Sequence, residues 1–122
     1  MAEPVIDMTV VDELLALCDD DDPELLVDLI RMFLEDGPNR VRSIETGATE
    51  GDLELVEQAA HSLKGSAGNL GAVKVQHLAE ELQLAGRSGD RESAARLAER
   101  LRTDYTEAET ALRDLLDRYA KS

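Results

Sequence analysis

The residues best suited to chemistry lie together in the stretch AAHSLKGSAGNLGA, from Ala59 to Ala72. Lys64 follows His61 at i+3, Gly65 at i+4 and Gly68 at i+7, with Gly71 beyond. On a helical wheel of about 100° per residue, Leu53, Val56, Ala60, Leu63, Ala67 and Leu70 gather into one apolar stripe. His61 falls roughly opposite that stripe, and Lys64 and Gly65 border it on the helix surface. Gly68 lies one turn further along the same face. A glycine inside a helix costs about 1 kcal/mol relative to alanine. Gly71 is accounted for as a C-cap. Gly65 and Gly68, facing outward, weaken the helix without burying anything. Two readings are open here. Either His61 is a solvated surface residue and the glycines are incidental or packing devices, or a bare backbone admits something bulky to the imidazole.

Several chemistries do not fit this layout. No Ser or Cys sits in a nucleophile motif with an orienting acid. The two histidines, His61 and His77, fall on different helices, and the single Cys18 adds too few soft ligands for zinc. Phosphoryl chemistry does fit. A neutral imidazole nitrogen is a good nucleophile near pH 7, and Lys64 is a mobile point charge able to neutralise phosphoryl oxygens. The sequence has no P-loop, no kinase glycine loop and no carboxylate set for a metal. Such a chain can hold a phosphoryl group but shows no means of taking one from ATP. His77 has Glu80 and Glu81 where His61 has Lys64 and Gly65. Two acids repel a phosphoryl group, so His77 reads as a solvated surface residue. Ser66 beside the motif suits either a phosphate contact or a bond to its own backbone.

The 122 residues suit a single domain, 1–122, with its core at about 8–120. Aromatics are only 2% of the chain, so Leu, Val, Ile and Ala must fill that core. No alternation of apolar and polar residues is long enough for a convincing strand. Thr9 with Asp12 suggests a capping box, followed by Val11, Leu14, Leu15 and Cys18 on one helical face, which puts Cys18 in the core. Asp22 offers an N-cap with Pro23 at N1, before a helix that buries Leu26, Leu29, Ile30 and Phe33. "DGPN" at Asp36–Asn39 is expected to kink or break that helix. Its pattern resumes through Val41 and Ile44 and ends near Gly47. The histidine helix starts near Asp52. The next covers about Val73 to Ala85, with Val75, Leu78, Leu82 and Ala85 inward, and "GRSGD" at Gly86–Asp90 is a turn. The last runs from about Arg91 to Ala120, with Ala94, Ala98, Leu101, Tyr105, Ala108, Leu112, Leu115 and Tyr119 in a heptad-like seam flanked by Leu97 and Leu116. Short loops between amphipathic helices imply an all-α, antiparallel up-down four-helix bundle with a short N-terminal helix and a long C-terminal one.

Charge and leader signals narrow the setting. The formal net charge is −14, with the basic residues scattered among the acids. That argues against nucleic acid and anionic membrane as partners, and the acids read as a solvated surface. The run Asp19–Asp22 lacks the spaced ligands and central glycine of a calcium loop. "MAEPVIDMTVVDELL" has no basic n-region, and no apolar run is long enough to span a membrane. One cysteine that cannot pair internally fits a reducing compartment. The expectation is a cytoplasmic protein without a metal or cofactor of its own.

The stretch AHSLKGSAGNLGA closely resembles the signature of histidine-containing phosphotransfer (HPt) domains of two-component phosphorelays: His, any residue, Leu, Lys, Gly, Ser, a small residue, then Leu-Gly-Ala. "FLEDGPNRV" and Asp52-Leu53 extend the resemblance over most of the chain. It implies a four-helix bundle with the acceptor histidine exposed in mid-helix. It implies that His61 is the phosphoacceptor, Lys64 the phosphate-stabilising cation and Gly65 the clearance residue; the spacing of Gly68, one turn along the same face, adds it to the expected docking surface. It further implies that Gln83, on the next helix, can hydrogen-bond the imidazole or its phosphate. The partners implied are response-regulator receiver domains, which bring the Mg²⁺, and for some members a hybrid histidine kinase. The chain is then a carrier rather than an enzyme, and a monomer is expected. The rival expectation is a helical adaptor that carries no phosphate and dimerises through the seam from Ala98 to Tyr119.

Overall fold

The computed structural model describes residues 4–18 and 22–120. It holds the helices α1 (Met8–Leu17), α2 (Glu24–Glu50), α3 (Leu53–Asn69), α4 (Val73–Ser88) and α5 (Arg91–Tyr119), with no strand among the described residues. Aspartates start three of them, because a side-chain oxygen satisfies a backbone N–H that has no partner inside the helix. Asp7, Asp52 and Asp90 accept from the N–H groups of Thr9, Leu55 and Ser93. The cap of α1 is therefore Asp7 and not the Thr9–Asp12 pair. At α2 the helix begins at Glu24 with Pro23 in the cap position, and Asp22 still takes up the Glu24 N–H at 3.1 Å. The rest of the acidic run, Asp19–Asp21, lies outside the described residues.

Three punctuation signals turn out to serve packing. α2 runs unbroken through the expected break, with Pro38 inside it. Proline removes a helix hydrogen bond and crowds the carbonyl four residues back, at a cost of ~3 kcal/mol. Tertiary contacts offset this. The Tyr105 hydroxyl donates to the buried Phe33 carbonyl at 2.9 Å, and the two rings stack with centroids 5.1 Å apart. Tyr105 fits there because Gly37 has no side chain, as any Cβ at that position would collide with the phenol. Burial pushes the Tyr105 hydroxyl's pKa up. The second signal, Gly47, is not the end of α2 but an interior contact. A Cβ there would lie 2.8 Å from the Asp52 carbonyl oxygen and 2.9 Å from Val56, and the helix continues to Glu50 before Gly51 ends it at φ 77°. The third is Gly86, which lies inside α4 rather than in a turn. The helix continues to Ser88, and the turn is confined to Gly89 and Asp90.

α3 packs on α2 and α4, α4 packs on α5, and α5 returns to α2, closing a four-helix ring around an aliphatic core. The stripe expected on α3 is buried from Val56 to Leu70, while Leu53 is half-buried at its first turn. Leu29 and Tyr119 are likewise half-buried, as are Leu14 and Leu15 of α1. Cys18 is half-buried at the end of α1 rather than a core residue, with its thiol against the Leu14 carbonyl. The long final helix finds its cover within the chain. Lys74 near the start of α4 pairs with Glu107, so the part of α5 after Glu107 continues past the α3–α4 loop. There α1 lies against α2, and the Asp7 N–H donates to the Gly71 carbonyl at 2.7 Å. Val11, Leu26, Leu112 and Leu115 are buried in this added section of the core. Each such side chain contributes roughly 1.5–3 kcal/mol when fully buried. Among the described residues no helix is long and apolar enough to cross a membrane.

Candidate functional site

α3 and α4 pack on each other extensively, and Gly86 lets their backbones approach closely. A Cβ on Gly86 would lie 2.8 Å from both the Glu57 nitrogen and the Leu53 carbonyl oxygen. With the backbones that close and antiparallel, side chains meet in register. Glu57 of α3 faces Arg87 of α4, His61 faces Gln83, Lys64 faces Glu80, and Gly68 faces Gln76.

His61 is exposed, as its place on the wheel requires. Gln83 is buried, with only 8% of its surface accessible, and its side-chain amide nitrogen stands 3.1 Å from His61 Nδ1. The structure thus brings Gln83 onto the histidine. The direction of this hydrogen bond follows the imidazole tautomer, and a half-turn of the amide exchanges donor for acceptor. In either case Nδ1 is engaged, and Nε2 is the ring nitrogen left for chemistry. An open groove of about 540 Å³ runs beside His61, between Glu57 and Gln58 of α3 and Gln83 and Arg87 of α4.

Lys64 is half-buried, and its ammonium lies 4.0 Å from a Glu80 carboxylate oxygen. On the other side of His61, Arg87 donates to Glu57 at 2.9 Å. The imidazole is thus flanked along the helix pair by two cation–carboxylate pairs. Sequence reading missed Glu57, Arg87 and Glu80 as neighbours of the site. Their signal was spacing. Once His61 faces Gln83 across antiparallel helices, four residues back on α3 must face four residues on along α4.

The glycines divide. Gly65 has nothing within 4 Å of where its Cβ would be. Gly68 is not bare, because the Gln76 side chain covers it, its amide nitrogen 3.1 Å from the missing Cβ. The bare backbone expected on this face is found at Gly65, while at Gly68 the small size makes room for Gln76. Ser66 is exposed and donates to the Ser62 carbonyl at 3.2 Å, a backbone bond within its own helix. His77 is exposed on α4, away from the His61–Gln83 contact.

The chain is similar in sequence and in fold to known proteins. The chain is 28% identical over 109 residues to histidine-containing phosphotransfer protein 2 of Arabidopsis thaliana, covering 86% of this chain and 69% of that one. It is 39% identical over 80 residues to the sensory/regulatory protein RpfC of Xanthomonas campestris, covering 66% of this chain and 11% of RpfC. A multistep phosphorelay regulator of Schizosaccharomyces pombe is 28% identical over 93 residues, which are 76% of this chain and 32% of the regulator. The chain therefore spans only a small part of these last two relatives. Among solved structures, histidine-containing phosphotransfer protein B from Pseudomonas aeruginosa superposes with a TM-score of 0.85 at 28% identity, over 97% of this chain and 99% of that one. The HPT domain of a sensor hybrid histidine kinase from Shewanella shares the fold at TM-score 0.78 and 20% identity, over 96% and 97% of the two chains. The Hpt domain family model matches residues 28–120, from the second turn of α2 to the end of α5 and across the whole His61 face, so the chain belongs to the Hpt domain family.

Proposed function

We propose that this chain is a phosphorelay intermediate that carries a phosphoryl group on His61. The observation behind this reading is an exposed imidazole whose Nδ1 is held by a buried glutamine, beside a glycine with open space over it. The donor is the aspartyl phosphate of a receiver domain. Gln83, with its carbonyl oxygen turned to His61, accepts from Nδ1–H and leaves the lone pair on Nε2. That lone pair bonds to phosphorus as the phosphorus–oxygen bond to the receiver's carboxylate breaks, and the electron pair departs with the carboxylate. The reverse step hands the group to the aspartate of a second receiver. Lys64 supplies positive charge to the phosphoryl oxygens, so the work is positioning and charge stabilisation. Gly65 keeps the approach clear.

In this reading the chain is a carrier and the Mg²⁺ belongs to the receiver. A hybrid histidine kinase is a further source of the phosphoryl group, as the Shewanella domain of the same fold is part of such a kinase. The bundle acts as one cytoplasmic domain and as a monomer, because the α5 seam that a dimer would need is buried in the chain's own core from Ala98 to Leu115. The test is labelling by a phosphorylated receiver. Wild type and His77→Gln should take an acid-labile label, and His61→Gln should take none. Equal labelling of wild type and His61→Gln would remove His61 from the role, and a wild type that never labels would favour the adaptor.

A further inference from the structure

The two ion pairs that flank His61 are not alike. Arg87 and Glu57 are in hydrogen-bond contact at 2.9 Å. Lys64 and Glu80 stand 4.0 Å apart, at the limit of an ion pair, with 35% and 54% of their side-chain surfaces accessible. Lys64 is one turn beyond His61 on α3, and Glu80 is one turn before Gln83 on α4. Both therefore lie on the same side of the His61–Gln83 contact, with the carboxylate drawing the ammonium toward α4. Building on the phosphoacceptor reading above, we infer that Glu80 is a positioning residue that competes with the phosphoryl group on His61 for the Lys64 ammonium, and so sets how strongly this protein holds its phosphate.

The physical case rests on charge and geometry. An ammonium is a compact charge on a flexible stem, with three rotatable donors and no fixed fork. It moves between two nearby anions without breaking a bidentate arrangement. A phosphoryl group carries more negative charge than a carboxylate and offers three acceptor oxygens. With His61 unmodified, Glu80 keeps Lys64 aligned beside the imidazole, where it is ready when charge arrives. With His61 phosphorylated, Lys64 turns to the phosphoryl oxygens, and the lost Lys64–Glu80 attraction is subtracted from the stabilisation of the phosphohistidine. A carrier must release what it accepts, and Glu80 limits how deeply the phosphorylated state is stabilised. The tight Arg87–Glu57 pair lacks this looseness and stays closed.

The competition is read from the full chain with phosphoramidate as the donor, at fixed phosphoramidate and ammonium concentrations. Phosphorus NMR gives the ratio of phosphohistidine to free histidine, and His61→Gln serves as the blank. Exposed ion pairs have modest coupling energies, so Glu80→Gln should raise that ratio by roughly 1.5- to 5-fold. In a Lys64→Ala background the same change should leave the ratio within about 1.2-fold, because no ammonium remains to compete for. No rise on Glu80→Gln overturns the inference. So does an equal rise with and without Lys64, which would make Glu80 a direct repeller of phosphate. A wild-type signal no greater than that of His61→Gln instead overturns the phosphoacceptor reading, and the inference with it. A structural role for Glu80 would move the thermal midpoint but not the dependence on Lys64.

Discussion

Replacing Gly65 by Gln separates the two uses a helix can have for glycine. At Gly65 no atom beyond the adjoining residues and backbone of its own helix lies within 4 Å of the position a Cβ would take, and the residue is exposed. A new side chain there meets no neighbour, so only backbone propensity changes. Gln is favoured over Gly in a helix interior by roughly 0.5–1 kcal/mol. For a domain of this size that gain raises the melting midpoint by roughly 2–4 °C. The same side chain stands one turn from His61, on the face where the proposed receiver docks. In-line transfer tolerates little displacement, since a shift of about 1 Å can cost about 10²-fold. Transfer from a phosphorylated receiver should therefore slow by at least about tenfold. Phosphoramidate, needing less room, should label the variant at nearly the wild-type rate. Calorimetry with stopped-time phosphotransfer assays gives both numbers on one preparation. A lower melting midpoint would show that Gly65 is a packing residue after all. A raised midpoint with normal transfer from the receiver would refute the clearance role directly.

Three further outcomes follow from the packing. Gly86→Ala should destabilise the fold, because its methyl meets backbone of α3 at 2.8 Å: overpacking of about 1–3 kcal/mol outweighs a propensity gain of up to about 1 kcal/mol. Urea unfolding measures this, and a variant as stable as wild type would mean that α4 shifts freely. Tyr105→Phe removes the hydroxyl that donates to the buried Phe33 carbonyl and should cost about 1–2 kcal/mol, an expectation refuted by an unchanged urea midpoint. Glu45 is held below its ordinary value of 4.5 by its hydrogen bonds from Arg102. A lowered folded pKa gives stability that is present above about pH 4.5 and is lost as pH falls through the folded value. Glu45→Gln should thus narrow the stability difference between neutral and acidic pH, and an unaltered pH profile of unfolding would show that the pair contributes nothing.

Much of the site was legible because one helix face is set by local spacing. The outward placement of His61 needs no tertiary knowledge: a stripe through Val56, Ala60, Leu63 and Ala67 forces it to the surface, with Lys64 beside it. Gln83 was legible only through family resemblance. Its wheel position is a flank of α4, and which way that flank turns depends on how closely α3 and α4 pack. Gly86 decides this, yet in the sequence it sits in "GRSGD" and reads as a turn. Pro38 and Gly47 misled in the same way. Proline and glycine report local backbone preference, and the contacts of Tyr105 and Val56 that override it come from other helices. The length of α2 was lost with those signals.

The glycines that look alike in the sequence have opposite tasks, and the site depends on both. Gly86 removes a side chain so that α4 can press against the first turns of α3, which holds Gln83 at His61 and aligns Arg87 with Glu57 and Glu80 with Lys64. Gly65 removes one so that nothing presses on the outer face. The first brings the imidazole's supports close, and the second leaves open space beside His61, which the proposed docking would use. The proposed carrier role uses the two together: an imidazole held by α4 but covered by a side chain would be closed to a receiver, and one left open but unheld would lose its Nδ1 partner. His61 lies where the close contact and the open face adjoin.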